Sequence, residues 1–150
     1  MKLSYLYIYI SLLLIIVSRR PGQLSSHHFD DNSWNFRDSI GFSFHVVDTL
    51  KPHHVSVFFR NTLDYPYQNL FLIIESIHNN KTVRKDTLEY LITNKYGQWL
   101  GNGLGKMKSN HFIVDENMIF DQAGDYEFVI QHGMRKNPLE GVNKVGLKIE

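Results

Sequence analysis

From Ile40 onward, hydrophobic and polar positions alternate with a period of two. Ile40, Phe42, Phe44 and Val46 are separated by Gly41, Ser43 and His45. Val55, Val57 and Phe59 form a second such run, Tyr126, Phe128 and Ile130 a third, and Val145, Leu147 and Ile149 a fourth. Alternation turns one face of a strand toward a core and the other toward water. Leu70 to Ile74 is continuously apolar, which predicts a central strand covered on both sides. Val83 to Leu91 and His111 to Val114 supply weaker strands, and no stretch carries a long helical period. Seven or eight short strands punctuated by Gly, Asn and Pro predict an all-β, antiparallel β-sandwich, immunoglobulin-like or jelly-roll in type. Gly124-Asp125-Tyr126-Glu127-Phe128 places a tyrosine two residues before a core position. Immunoglobulin-like sandwiches use such a tyrosine to bond back across a corner, although a glycine turn before any strand has the same letters.

The pattern upstream is different. Leu3 to Val17 is almost wholly apolar and follows Lys2. As a helix it would reach about 22 Å, short of the roughly 30 Å hydrocarbon core, so residues 1–20 are expected to be a signal segment. The competing reading is an uncleaved anchor with Arg19 and Arg20 at the head groups. Residues 21–35, rich in Pro-Gly, Ser-Ser, His-His and Asp-Asp pairs, read as a tether. Residues 36–150 are then the sandwich domain.

Composition narrows the function. A chain of 150 residues suits one domain. Sixteen Lys and Arg against fifteen Asp and Glu leave a net charge of +1 and no whole-chain case for nucleic acid. The absence of cysteine excludes a disulfide scaffold, a thiolate metal site and a cysteine nucleophile.

The chemistry-bearing motifs are weak. Gly101-Asn102-Gly103-Leu104-Gly105 lacks the Gly-Lys-Ser/Thr ending and the following helix of a phosphate loop, so it reads as a turn. Trp99 and Leu100 before it are expected to plug the sandwich end. His27-His28 and His53-His54 are adjacent pairs, whose side chains point to opposite faces of a strand, so no metal is expected. No Gly-x-Ser-x-Gly elbow occurs, and the spacing of Asp64, Asp86 and Glu89 requires no acid–base pair. Neither catalysis nor a cofactor is expected. The richest stretch runs from Arg60 to Leu70. Arg60, Tyr65, Pro66, Tyr67 and Asn69 form either a recognition loop, since Tyr and Arg bind with little entropy loss, or a lid packed onto the core. Met134 and Arg135 lie in the loop joining the last two strands. Placed beside the first loop, they would complete one contact surface.

Read in series, Tyr65-Pro66-Tyr67-Gln68-Asn69-Leu70, Asp86-Thr87-Leu88-Glu89-Tyr90, Gly101-Asn102-Gly103, Gly124-Asp125-Tyr126, Met134-Arg135 and Leu139-Glu140-Gly141-Val142 fall in a familiar order. From Phe36 to Glu150 the chain resembles the gliding-motility lipoprotein family GldH of Bacteroidetes. The resemblance implies an exported, non-enzymatic component of the gliding machinery, linked to type IX secretion. It implies a place in the cell envelope, on the periplasmic side of a membrane, with the outer membrane expected. Its partners would be other envelope proteins of that machinery, met through protein–protein contacts. The chain departs from the family at its leader, where Arg19 stands in place of the cysteine that receives lipid. A guanidinium cannot be acylated in this way. That leaves a sequence or start-site error, release into the periplasm, or retention by the apolar segment. The alternative function is a secreted carbohydrate-binding module stacking sugars on Tyr65, Tyr67 and Trp99.

Overall fold

The structure, a computed structural model, describes residues 23–150. The expected signal segment, Arg19 included, lies outside them. Among the described residues ten strands follow one another: β1 (Gln23–His28), β2 (Ser33–Trp34), β3 (Ile40–Val46), β4 (His53–Thr62), β5 (Asn69–His78), β6 (Lys81–Leu91), β7 (Met107–Met118), β8 (Gly124–His132), β9 (Leu139–Glu140) and β10 (Val142–Ile149).

They form two four-stranded sheets, ordered β1-β10-β4-β7 and β3-β8-β5-β6, and a two-stranded ribbon of β2 and β9. Every pairing is antiparallel. Among the long strands, only β5 and β6 are both consecutive and paired; every other connection carries the chain to the opposite sheet. That order is the jelly roll, one of the two sandwich types the alternation left open.

The period-two residues set the core. Val55, Val57 and Phe59 of β4 and Val145, Leu147 and Ile149 of β10 are buried from one sheet. Ile40 and Phe42 of β3, Leu70, Leu72 and Ile74 of β5, and Phe128 and Ile130 of β8 meet them from the other. The expected corner is present: Tyr126 is buried and its hydroxyl donates to the Gln122 carbonyl at 3.0 Å.

Three expectations change. The stretch read as a tether carries β1 and β2 from Gln23 onward. Its polar side chains hide this, because β1 is an edge strand held by backbone pairing to β10. Gly146 permits the close approach, since a Cβ there would meet the Ser25 carbonyl oxygen at 2.8 Å. Phe29 and Trp34 supply the anchors. Trp34 is fully buried, packs its ring at a tilt against Phe29 at 5.5 Å, and its indole donates to the Asp38 carbonyl at 2.8 Å. Second, Leu70 to Ile74 is central but fully covered on one face only, with Phe71 and Ile73 half-buried on the other. Third, the weak run at His111 belongs to the longest strand, the twelve-residue β7.

The topology gives the sandwich two unlike ends. Gln23, Glu150 and the connections 47–52, 79–80 and 119–123 lie at one, here the terminal end. The connections 29–39, 63–68, 92–106 and 133–141 gather at the other, the loop end.

Candidate interaction surface at the loop end

The four connections of the loop end are tied by backbone bonds. Thr62 N–H donates to the Gly141 carbonyl (2.9 Å), Leu63 to Lys106 (3.1 Å), Ile92 to Gln68 (2.7 Å), and Val142 to Asn32 (3.0 Å). Gly141 has φ of 77°, and a Cβ there would meet the Tyr65 nitrogen at 2.5 Å, so a side chain would collide with backbone. The 63–68 and 133–141 loops therefore lie against each other. Phe71 sits between them, its N–H donating to the Met134 sulfur (3.3 Å) and its carbonyl accepting from Gly133 (2.7 Å).

The expected site residues divide. Tyr65 is a lid: it is 4% exposed, meets the Phe59 ring edge-on at 5.6 Å, and donates its hydroxyl to the Asn69 carbonyl at 2.8 Å. Burial drives its phenol well above the ordinary range. This is a second tyrosine corner, at the opposite end from Tyr126. Tyr67 packs on Tyr65 and is half-buried, while Pro66 and Arg135 are exposed and Met134 is half-buried. Asn69 donates to Glu89 at 2.6 Å. Arg60 belongs to β4 and is engaged by strand residues, its guanidinium over the Phe58 ring and its Nε donating to the Ser109 hydroxyl. Trp99 is half-buried against the core, as a plug would be, but Leu100 is 52% exposed.

Sequence reasoning missed the most exposed apolar side chains of this end. Leu104 is 99% exposed and Tyr96 76%, with Phe36, Leu63 and Leu100 about half exposed. The available signal was a large apolar residue isolated inside a Gly- and Asn-rich connection. The glycine loop that holds Leu104 is a closed turn. Asn102 and Ser109 exchange two backbone bonds, and Lys108 donates to the Gly103 carbonyl at 2.8 Å.

The remaining chemical candidates are engaged separately. Asp86 pairs with Arg84 at 2.6 Å, Glu89 accepts from Asn69, and Asp64 accepts from Thr62. Among the described residues, no three His, Asp or Glu side chains gather as a ligand set. His132 is buried edge-on against Trp34 at 5.2 Å, and its Nδ1 accepts from the Met134 N–H. Burial holds its imidazole below the ordinary value, partly opposed by the Trp34 backbone.

At the terminal end a crevice of about 610 Å³ opens, lined by Ser76, His78, Lys81, Met118, Phe120 and Tyr126 among others. It lies beyond a clip that joins the edge strands β6 and β7. Arg84 binds Asp115 at 2.6 Å, Tyr90 stacks on Phe112 at 4.3 Å, and the Tyr90 hydroxyl donates to the Ile113 carbonyl. The Arg84 bond holds the Asp115 carboxyl below its usual range, and burial pushes the Tyr90 phenol up to about 12. His78 stacks on Tyr126 at 4.3 Å, and its Nδ1 donates to the Asp125 carbonyl.

With this geometry in view, comparison with known proteins is decisive for the family. The GldH lipoprotein model matches residues 23–149, nearly all of the described chain. The chain belongs to the GldH lipoprotein family. The match extends the resemblance back from Phe36 to Gln23, so the edge strand β1 is family structure too. The chain is 34% identical over 151 residues to a gliding motility lipoprotein GldH homolog of Christiangramia forsetii, covering 96% of this chain and 93% of that protein. It is 30% identical over 126 residues to the gliding motility lipoprotein GldH of Flavobacterium johnsoniae, covering 79% and 78%. Membership makes it a gliding motility lipoprotein by family, and hence a protein of the cell envelope. The family is not a known enzyme family. Solved structures are more distant. The CBM36-1 domain of a multidomain xylanase from the hindgut metagenome of Trinervitermes trinervoides has a TM-score of 0.46 at 11% identity, over 89% of this chain and 90% of that one. The family GH115 glucuronidase BtGH115A has a TM-score of 0.45 at 12% identity, over 87% and 16%. Scores at this level carry no functional argument.

Proposed function

We propose that this GldH-family protein is a non-enzymatic part of the gliding machinery and of its linked type IX secretion apparatus, working through protein–protein contacts at the loop end. It is held at a membrane, the outer membrane, and faces the periplasm. One observation carries the proposal. Two cross-bonded connections present Leu63, Tyr96, Leu100 and Leu104 to solvent, and Tyr67 and Arg135 stand at the same end, away from the N-terminal strand's entry. Exposed aromatic, Leu and Arg side chains on an ordered base are what an interface needs, because little entropy remains to be lost. The sugar-stacking alternative has less support: Tyr65 is buried and Trp99 packs against the core, leaving no open aromatic platform among the three.

The test is replacement of the source bacterium's own copy by a variant carrying Tyr96→Ala, Leu104→Asp and Arg135→Ala. Spreading on agar is expected to be lost while the protein accumulates at its normal level. Full spreading by the variant contradicts the assignment.

A further inference from the structure

We propose that the crevice at the terminal end is a binding site for a neutral sugar residue, held by Ser76, His78, Lys81 and Asp121 with its C–H face on Phe120 and Met118. All six side chains line the crevice, whose volume of about 610 Å³ lies within the roughly 300–1,000 Å³ usual for small-ligand sites. The Arg84–Asp115 and Tyr90–Phe112 contacts hold β6 to β7, and the crevice opens beyond them, toward the 79–80 and 119–123 connections.

One buried atom there has no protein partner. His78 is 8% exposed, its ring stacks on Tyr126 at 4.3 Å, and its Nδ1 donates to the Asp125 carbonyl at 2.9 Å. The ring is therefore fixed, and its Nε2 is left as an acceptor, buried and unbonded. An orphaned buried acceptor is costly, and a ligand hydroxyl donating to it recovers that cost. The alternation of β5 puts Ser76 on the same face. Among the described residues the Ser76 hydroxyl, the Lys81 ammonium and the Asp121 carboxylate make no hydrogen bond or ion pair either. Four unengaged polar groups thus line one crevice.

The mixture of groups selects the ligand. Lys81 and Asp121 are of opposite sign, and Arg84, the other charged side chain of the lining, is shared between Asp86 and Asp115 at 2.6 Å each. An ion of either sign would therefore meet a like charge. An acyl chain would strip water from Ser76, His78 and Lys81 and return no hydrogen bond. An extended peptide gains affinity by pairing with a free sheet edge, and the clip crosses the edge of β6 here. A sugar ring carries hydroxyls that donate and accept around an apolar C–H face. It can donate to His78 and Asp121, accept from Lys81 and bond Ser76 in either sense, while its C–H face covers Phe120 and Met118. A free saccharide and the chain end of a glycan share this chemistry. The site lies at the opposite end from Tyr65, Tyr67 and Trp99 and needs nothing of the loop end, so it and the proposed function fail separately.

The test uses the full-length chain, isotope-labelled at its histidine ring nitrogens and held in a detergent without a sugar head group. It is titrated with glucose, galactose, mannose, N-acetylglucosamine, cellobiose and chitobiose while the His78 ring nitrogens are followed by NMR. At least one sugar is expected to move the Nε2 resonance saturably, and by more than Nδ1. Tighter binding of a disaccharide than of its monomer assigns the chain end of a glycan, and the reverse assigns a free sugar. Lys81→Ala and Asp121→Ala change exposed side chains, so the fold stays intact, and thermal unfolding checks this. Each is expected to weaken the binding about tenfold, the loss of one hydrogen bond to a charged group. A panel that gives no saturable shift at millimolar concentration overturns the proposal, as does unchanged affinity in both variants. An equal shift from sodium acetate would assign the crevice to an anion, and one from a blocked trialanine peptide would assign it to a peptide; either overturns the proposal.

Discussion

The two ends of this sandwich solve the same closure problem in opposite ways. The loop end spends long connections, cross-bonds them, and seals the core with Trp34, Tyr65 and Leu139. The terminal end uses short turns and leaves a crevice between β6 and β7 beyond the Arg84–Asp115 clip. A closed, bonded end keeps its exposed side chains in fixed positions, which suits recognition. The open end instead exposes a crevice lined by His78, Lys81 and Phe120 among others.

The comparison breaks or sharpens most sharply at the core. Trp34→Ala removes a fully buried side chain from the sealed end and is expected near the top of the about 3–5 kcal/mol range for large aromatic truncations. Phe120→Ala is expected near the bottom, because its site adjoins the crevice and less new void forms. Denaturant unfolding measures both. A greater loss for Phe120 would contradict the contrast. Gly141→Ala is expected to cost about 2 kcal/mol or more, since the new Cβ meets the Tyr65 backbone and the positive φ disfavours it.

The two tyrosine corners give a matched pair of smaller effects. Tyr65→Phe and Tyr126→Phe each remove one hydroxyl donor to a carbonyl and are expected to cost about 1 kcal/mol apiece. Their sum in the double variant should be additive, because the corners lie at opposite ends. Strong coupling would mean the ends are not independent.

Above the acid range in which Asp115 and the other bonded carboxylates titrate, the pH dependence should come from the sealed end. His132 has a folded pKa below its ordinary 6.5, so the unfolded chain takes up its proton first as pH falls. The stabilising contribution of the neutral, buried ring is complete above about pH 6.5 and is lost progressively as pH drops toward the folded value. His132→Asn is expected to flatten this part of the stability profile. An unchanged slope between pH 6.5 and the folded value would place the dependence elsewhere.

Much of this was legible in the chain. The alternating runs gave the buried faces of β3, β4, β8 and β10, because the period of a half-buried strand is written directly in side-chain type. Tyr126 gave a corner. The strands β1 and β2 were not legible, since backbone pairing at a sheet edge needs no hydrophobic pattern and only Phe29 and Trp34 betray burial. Tyr65 illustrates the limit for sites. A loop tyrosine that binds and one that seals have the same neighbours in sequence, and only Gly141 packed on its backbone separates the two. The exposure of Leu104 and Tyr96 likewise depends on how the 92–106 connection folds back on itself.

The central claim is that the loop end is the contact surface, and affinity capture from cross-linked envelope extracts tests it most directly. The Tyr96→Ala, Leu104→Asp, Arg135→Ala variant should unfold within about 0.5 kcal/mol of the natural protein, because all three side chains are exposed. It should nonetheless lose the gliding and secretion components that the natural protein retains, while a Leu50→Asp control keeps them. Undiminished capture by the triple variant, with capture lost from the Leu50→Asp control instead, would contradict the account.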